Sequence, residues 1–185
     1  MAPPGARDEH WFTGLYADQY PAIVKYGRRR LVDADGPVEL AQEVFAVAWR
    51  RRAEVPDRSL PWLYGVARRL LANHWRARRT APEPVPIPDP DQLVDPAVPG
   101  SDATVELAGV RATLARLSDL DQEILRLVGW EELTLSEAAE VLGCTRAAAT
   151  VRLHRARRRL TAALAANPRP ATTLRSCDVR GTANP

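Results

Sequence analysis

The sequence is nearly devoid of lysine: Lys25 is the one lysine among 26 basic residues, and arginine supplies the rest. Cysteine is almost as scarce, with Cys144 and Cys177 alone. Neither has a Cys or His at metal-ligand spacing, and Cys144 and His154 lie too far apart along a helix to share an ion, so no metal is expected. A structural disulfide is not expected in a reducing compartment. Cys144 reads as a small buried side chain in preference to a redox reporter. No apolar run is long enough to span a membrane. Met1 to His10 has no apolar stretch and carries Asp8 and Glu9, unlike a secretory signal. A cytoplasmic protein without membrane insertion is therefore expected. The histidines His10, His74 and His154 fall in different segments, and neither a Gly-rich phosphate loop nor a nucleophile elbow is present. These absences argue against an independent enzyme and against a cofactor.

What is present points to a soluble helical protein. Its 185 residues are 45% hydrophobic and 26% charged, enough for one ordinary domain or two small ones. The net charge is only +3. A GC-rich coding bias explains the choice of arginine over lysine, but not where the arginines cluster. The clearest boundary is the proline-dense stretch from Thr80 to Gly100, which forbids helix and sheet interiors. The organisation expected is a first domain over 11–79, a Pro-rich flexible linker over 80–103, a second domain over 104–166 and a flexible tail over 167–185. No strand pattern occurs, so the fold class is all-α: two small helical bundles joined by the linker.

In the first block, Phe12, Leu15, Tyr16, Ile23 and Tyr26 recur at helical spacing. Asp35-Gly36-Pro37 starts a second helix, with Leu40, Val44, Val47 and Ala48 as its buried stripe and Glu39, Gln42 and Glu43 off it. Pro56 to Ser59 reads as a turn. A third helix follows, with Leu63, Val66, Ala67, Leu70 and Leu71 facing inward and a basic end at Arg68, Arg69, Arg76, Arg78 and Arg79. Trp62, Tyr64 and Trp75 are interleaved with those arginines. Aromatics beside arginines suit unstacked bases of single-stranded nucleic acid, while a place in the core is an equal reading for Trp62 and Tyr64.

The second block carries the strongest motif. An amphipathic helix with Val105, Leu107, Val110, Leu114 and Leu117 comes first, and Asp119 is placed to cap the next. Thr134 or Ser136 then caps a short helix with Ala138, Ala139 and Leu142 inward. Gly143 supplies the left-handed residue that ends it, and Thr145 caps a further helix from Arg146 to about Leu164. This is the order of a helix-turn-helix, whose second helix enters the major groove. Ala149, Leu153, Ala156 and Leu160 share one face, leaving Arg146, Thr150, Arg152, His154, Arg155 and Arg157 to Arg159 to face outward. His154 reads as a phosphate or water contact.

Together these segments resemble the extracytoplasmic-function (ECF) sigma factors of the sigma-70 family. The resemblance rests on Glu39, Leu40, Gln42, Glu43, Val44, Phe45, Ala48 and Trp49, on PWLYGVARRLLANHWRARR, and on the segment from Leu117 to Leu160. It implies a protein that binds core RNA polymerase and directs initiation at promoters with -10 and -35 elements. Glu39, Leu40, Gln42, Glu43 and Phe45 would dock on the clamp coiled coil of the largest polymerase subunit. Asp57, Arg58, Trp62, Arg68, Arg69, Asn73 and Arg76 would bind the -10 element, with the Ala53 to Ser59 loop holding a flipped base. Thr145, Arg146, Thr150, Arg152 and Arg155 would read the -35 element. An anti-sigma factor is an expected further partner. The chain departs from the family's common residues at Arg69, Asn73, Ala148, Thr150 and Val151, and at Pro37 and Val38. Two other readings remain: a stand-alone helix-turn-helix regulator, and a sigma-like decoy that binds an anti-sigma factor without DNA.

Overall fold

The computed structural model describes residues 7–31, 33–80 and 109–166, and every regular element among them is helical. The linker after Thr80 and the tail from 167 lie outside the described residues, as do Val105 and Leu107. Helix α1 spans Glu9–Arg28 and is capped by Asp8, whose carboxylate accepts from the Trp11 backbone N–H at 2.9 Å. Pro21 sits inside α1 without ending it. Helix α2 spans Gly36–Arg50 with a proline in its first turn, where a missing N–H costs nothing. A 3-10 turn at Arg52–Glu54 leads to α3, Ser59–Thr80. After a helical stretch at 109–114 come α4 (Asp119–Gly129), α5 (Leu135–Leu142) and α6 (Arg146–Ala165).

Helices α1, α2 and α3 bury Ile23, Tyr26, Leu40, Ala41, Val44, Phe45, Ala48, Leu63 and Ala67 among themselves. Gly27 lets α1 and α2 approach: a Cβ there would stand 2.9 Å from the Cα of Pro37. The helix-turn-helix forms its own small core of Ile124, Ala139, Ala149, Leu153 and Ala156. Thr134 and Glu137 cap α5 reciprocally, Gly143 ends it at φ 67°, and the Thr145 hydroxyl accepts from the Ala148 N–H to start α6.

Several local expectations need correction. Ser118, not Asp119, caps α4, because Asp119 is already the first helical residue. Val141 is buried where Leu142 was expected to be, and Val47, Leu142 and Leu160 are half-buried. Cys144 is exposed, since the left-handed turn at Gly143 carries the chain away from the core before α6 begins.

The two bundles do not stand apart. Leu127, Leu133, Ala138 and Val141 of the second lobe join the core of the first. A buried polar network crosses the same boundary. The Arg30 guanidinium donates to both oxygens of Glu123 at 2.9 and 3.2 Å and to Glu131 at 2.9 Å, and the Tyr26 hydroxyl donates to Glu123 at 2.9 Å. Arg29 donates to the other oxygen of Glu131. The Arg30 side chain is 1% exposed and stacks 3.4 Å from the Tyr26 ring centroid, and Tyr26 stacks in turn on Tyr64. Buried charges of this kind persist only when paired and hydrogen-bonded on every side.

Candidate nucleic-acid and polymerase interfaces

The outward face of α2 carries Glu39, Gln42, Glu43 and Ala46, all exposed. Leu40 and Phe45, named with them from the sequence, are 6% and 2% exposed. Leu40 thus lies in the buried stripe of α2, and Phe45 joins it by meeting Phe12, Tyr16 and Tyr20 edge-on or tilted, so in this packing both residues face the core. Any docking face on α2 is therefore mainly acidic and polar, with Ala46 and the larger Val38 as its exposed apolar residues.

The loop and helix proposed for the -10 element form a second surface. Asp57 accepts from Arg7 at 3.2 Å. Arg58 pairs with Glu137 of the second lobe at 2.5 Å, although its own side chain is 74% exposed. Trp62 is half-buried with the Arg51 guanidinium 6.0 Å from its ring centroid, and Arg52 stands 4.6 Å from that of Trp49. Arg69 is exposed, its Nε bonded back to the Gly65 carbonyl at 3.0 Å, and Asn73 accepts from Arg76 at 3.0 Å. Arg68, Trp75 and Arg76 line a cleft of about 830 Å³ whose opposite wall is Asp119, Leu120 and Glu123 of α4. Tyr64 is core, 3% exposed against Tyr26, so among the interleaved aromatics Trp62 and Trp75 remain as platforms for a base. Burial pushes the Tyr64 hydroxyl up to about 12, keeping it neutral.

The third surface is α6. Arg146, Thr150, His154 and Arg155 are exposed and Arg152 is half-buried. The hydroxyl of Thr145 is spent on its cap at 3.2 Å, and that of Thr150 donates to the Arg146 carbonyl at 2.8 Å. Arg159 is tied to Asp121 and is thereby aimed at α4. Val151, marked in the sequence only as a departure from the family's common residues, is 49% exposed between Thr150 and Arg152. It lies outside the Ala149, Leu153, Ala156 register, and that departure is the signal that could have found it. An exposed apolar side chain here suits the methyl group of thymine.

Behind α5, Glu137 is pulled both ways. Burial raises its pKa, but the hydroxyl and N–H of Thr134 and the charge of Arg58 outweigh it and hold the carboxyl below its ordinary value. The sequence reading gave Arg29, Arg30, Glu123 and Glu131 no role, because their partners lie about a hundred residues away and no local pattern marks them.

Comparison with known proteins bears on all three surfaces. The family model for sigma-70 region 2 matches residues 15–80, and that for sigma-70 region 4 matches 107–160. The RNA polymerase sigma factor YlaC of Bacillus subtilis is 30% identical over 149 residues, covering 77% of this chain and 86% of that protein. The ECF RNA polymerase sigma factor SigF of Caulobacter vibrioides is 31% identical over 134 residues, covering 71% of this chain and 73% of that one. Among solved structures, the sigma factor RpoE in complex with the anti-sigma factor NepR from Bartonella quintana superimposes with a TM-score of 0.62 at 23% identity. That match covers 85% of this chain and 98% of that one and shows a shared fold.

Proposed function

The chain belongs to the sigma-70 family of RNA polymerase sigma factors, in its ECF group, and from that premise we propose how its surfaces divide the work of promoter-directed initiation. Glu39, Gln42 and Glu43 dock on the clamp coiled coil of the largest polymerase subunit, held in register from beneath by Leu40 and Phe45. Asp57, Arg58, Trp62, Arg68, Arg69, Asn73 and Arg76 engage the -10 element, with Trp75 as a further platform. Arg146, Arg152 and Arg155 read base edges and phosphates of the -35 element, Thr150 and Val151 contribute shorter contacts, and Thr145 positions the helix by capping it. The chemistry of polymerisation belongs to the polymerase, and the site of action is the cytoplasm. An anti-sigma factor is a further proposed partner. It is supported by the fold shared with a sigma factor solved in such a complex.

This division requires the lobes to part. The two promoter elements lie about 25 base pairs apart by their names, or ~85 Å of duplex at ~3.4 Å per step. A compact chain of this size has a radius of gyration of roughly 16 Å. Packed as they are, the lobes cannot reach both elements. Arg58, Arg68 and Arg76 are moreover turned toward or paired with the second lobe.

The observation that carries the proposal is the joint presence of an acidic α2 face and two separate basic surfaces on one chain. A stand-alone regulator using only the second lobe leaves the region 2 match without a role, and a decoy has no use for the basic faces. Run-off transcription with purified core polymerase across a promoter library tests it. Initiation should depend on the protein and weaken in Glu43→Ala and Arg152→Ala. No binding to core and no initiation would overturn it.

A further inference from the structure

A cleft of about 590 Å³ opens at the boundary between the lobes, sharing Arg126 with the cleft beside Arg68 and Arg76 but none of the residues assigned above to a promoter element. The C-terminal end of α1 supplies Lys25, Arg28 and Arg29 to it, and the second lobe supplies Arg111, Arg126 and Trp130. Positive charge is therefore brought together from both sides. Arg29 is compensated by Glu131, whereas Lys25, Arg28 and Arg111 form no ion pair with any described residue and are exposed. Arg126 is half-buried and bonded only to the neutral Gln122 side chain at 2.8 Å. Burial, followed by the charge of Arg30, holds its guanidinium below the ordinary value against the opposing charges of Glu123 and Glu131. Crowded cations with so few carboxylates are stabilised by an anion that several can share.

The shape narrows the anion. The volume falls within the range of small-molecule sites, about 300–1,000 Å³. Trp130 adds a half-buried indole wall, a surface on which a planar base can stack. The site also exists only while the lobes are packed together. Because spanning a promoter separates them, promoter DNA in the initiation complex cannot be the occupant, an argument that rests on the function proposed above. We propose that this cleft binds a nucleoside polyphosphate, with its phosphates on Lys25, Arg28 and Arg111 and its base against Trp130. A ligand bridging both lobes favours the packed arrangement and so opposes engagement of the promoter.

Equilibrium dialysis of the full-length protein against labelled GTP and ATP tests this, with inorganic triphosphate and a glutamate-rich peptide as competitors. Binding of one nucleotide per chain is expected, weakened roughly tenfold for each guanidinium removed in Arg28→Ala and Arg111→Ala. Trp130→Ala should bring the nucleotide's affinity down to that of triphosphate. Arg30→Met, which lies outside the cleft but frees the lobes, should also weaken binding. Circular dichroism and protein-dependent run-off initiation confirm that each variant is folded. No binding at millimolar nucleotide, or binding unchanged in the Arg28→Ala/Arg111→Ala double variant, overturns the proposal. Triphosphate binding as tightly as GTP overturns the nucleoside assignment, and binding of the acidic peptide alone overturns it in favour of a protein segment. The two readings fail separately. Run-off initiation without nucleotide binding removes only the cleft, and nucleotide binding without initiation removes only the promoter assignment.

Discussion

Replacing Arg30 by methionine should open the molecule. The Arg30 and Glu131 side chains are each 1% exposed, and that of Glu123 is 11% exposed. Removing the guanidinium leaves Glu123 on the Tyr26 hydroxyl and Glu131 on Arg29, two largely buried carboxylates that have lost their shared cation. Breaking a buried pair from one side costs about 3–5 kcal/mol, because the remaining charge stays desolvated. Here that remaining charge has an escape: separating the lobes returns Glu123 and Glu131 to water. The cost therefore falls on lobe association, shifting its equilibrium by a factor of roughly one hundred to a few thousand at ~1.4 kcal/mol per tenfold. Spin labels on the exposed native Cys144 and on Glu9→Cys, in a Cys177→Ser background, report the distance between lobes. Arg30→Met should broaden and lengthen that distance while helical circular dichroism is retained. Adding Glu123→Gln and Glu131→Gln should restore part of the packing, since neutral amides are cheaper to bury unpaired. An unchanged distance distribution, with less than about 1 kcal/mol lost in urea unfolding, would refute the view that this network holds the lobes together.

Three further outcomes are expected. Burial, and then the charge of Glu123, raises the Tyr26 hydroxyl well above its ordinary value. Its contribution to stability is then fully present below about pH 10 and lost as pH rises through the folded value, so alkaline urea titrations should show a falling limb that Tyr26→Phe makes shallower. Because Tyr64 is likewise raised, to about 12, Tyr26→Phe should not abolish that limb. Gly143→Ala places a Cβ at φ 67° and should cost about 1–2 kcal/mol in thermal or urea unfolding, whereas Gly27→Ala should cost about 1–3 kcal/mol by forcing α1 off Pro37. Thr134→Val removes the hydroxyl half of the α5 capping box, leaving the backbone N–H of residue 134 on Glu137, and should lower stability by about 1 kcal/mol.

Much of this molecule follows from relations between residues close together in the chain. Helical spacing marked α1 to α6, Pro37 marked the start of α2, and Thr134, Gly143 and Thr145 marked the helix-turn-helix. Each of those signals acts within one or two turns, where a side chain caps its own helix or a glycine takes a positive φ. The basic character of α6 and the acidic face of α2 were readable for the same reason: outward residues on a helix are those off the apolar register. The tertiary structure decided the rest. Phe45 belongs to the core because the aromatics of α1 close over it, which the periodicity of α2 alone does not specify. Cys144 is exposed because the turn after α5 swings it outward. Above all, Arg30 meets Glu123 and Glu131 across 93 and 101 residues. Charged residues at that separation leave no periodic trace, and an arginine in a basic run just past a helix end reads as solvated. Only the packing of two hydrophobic surfaces brings them into one dry seam, where the pairing becomes obligatory and the lobes become one body.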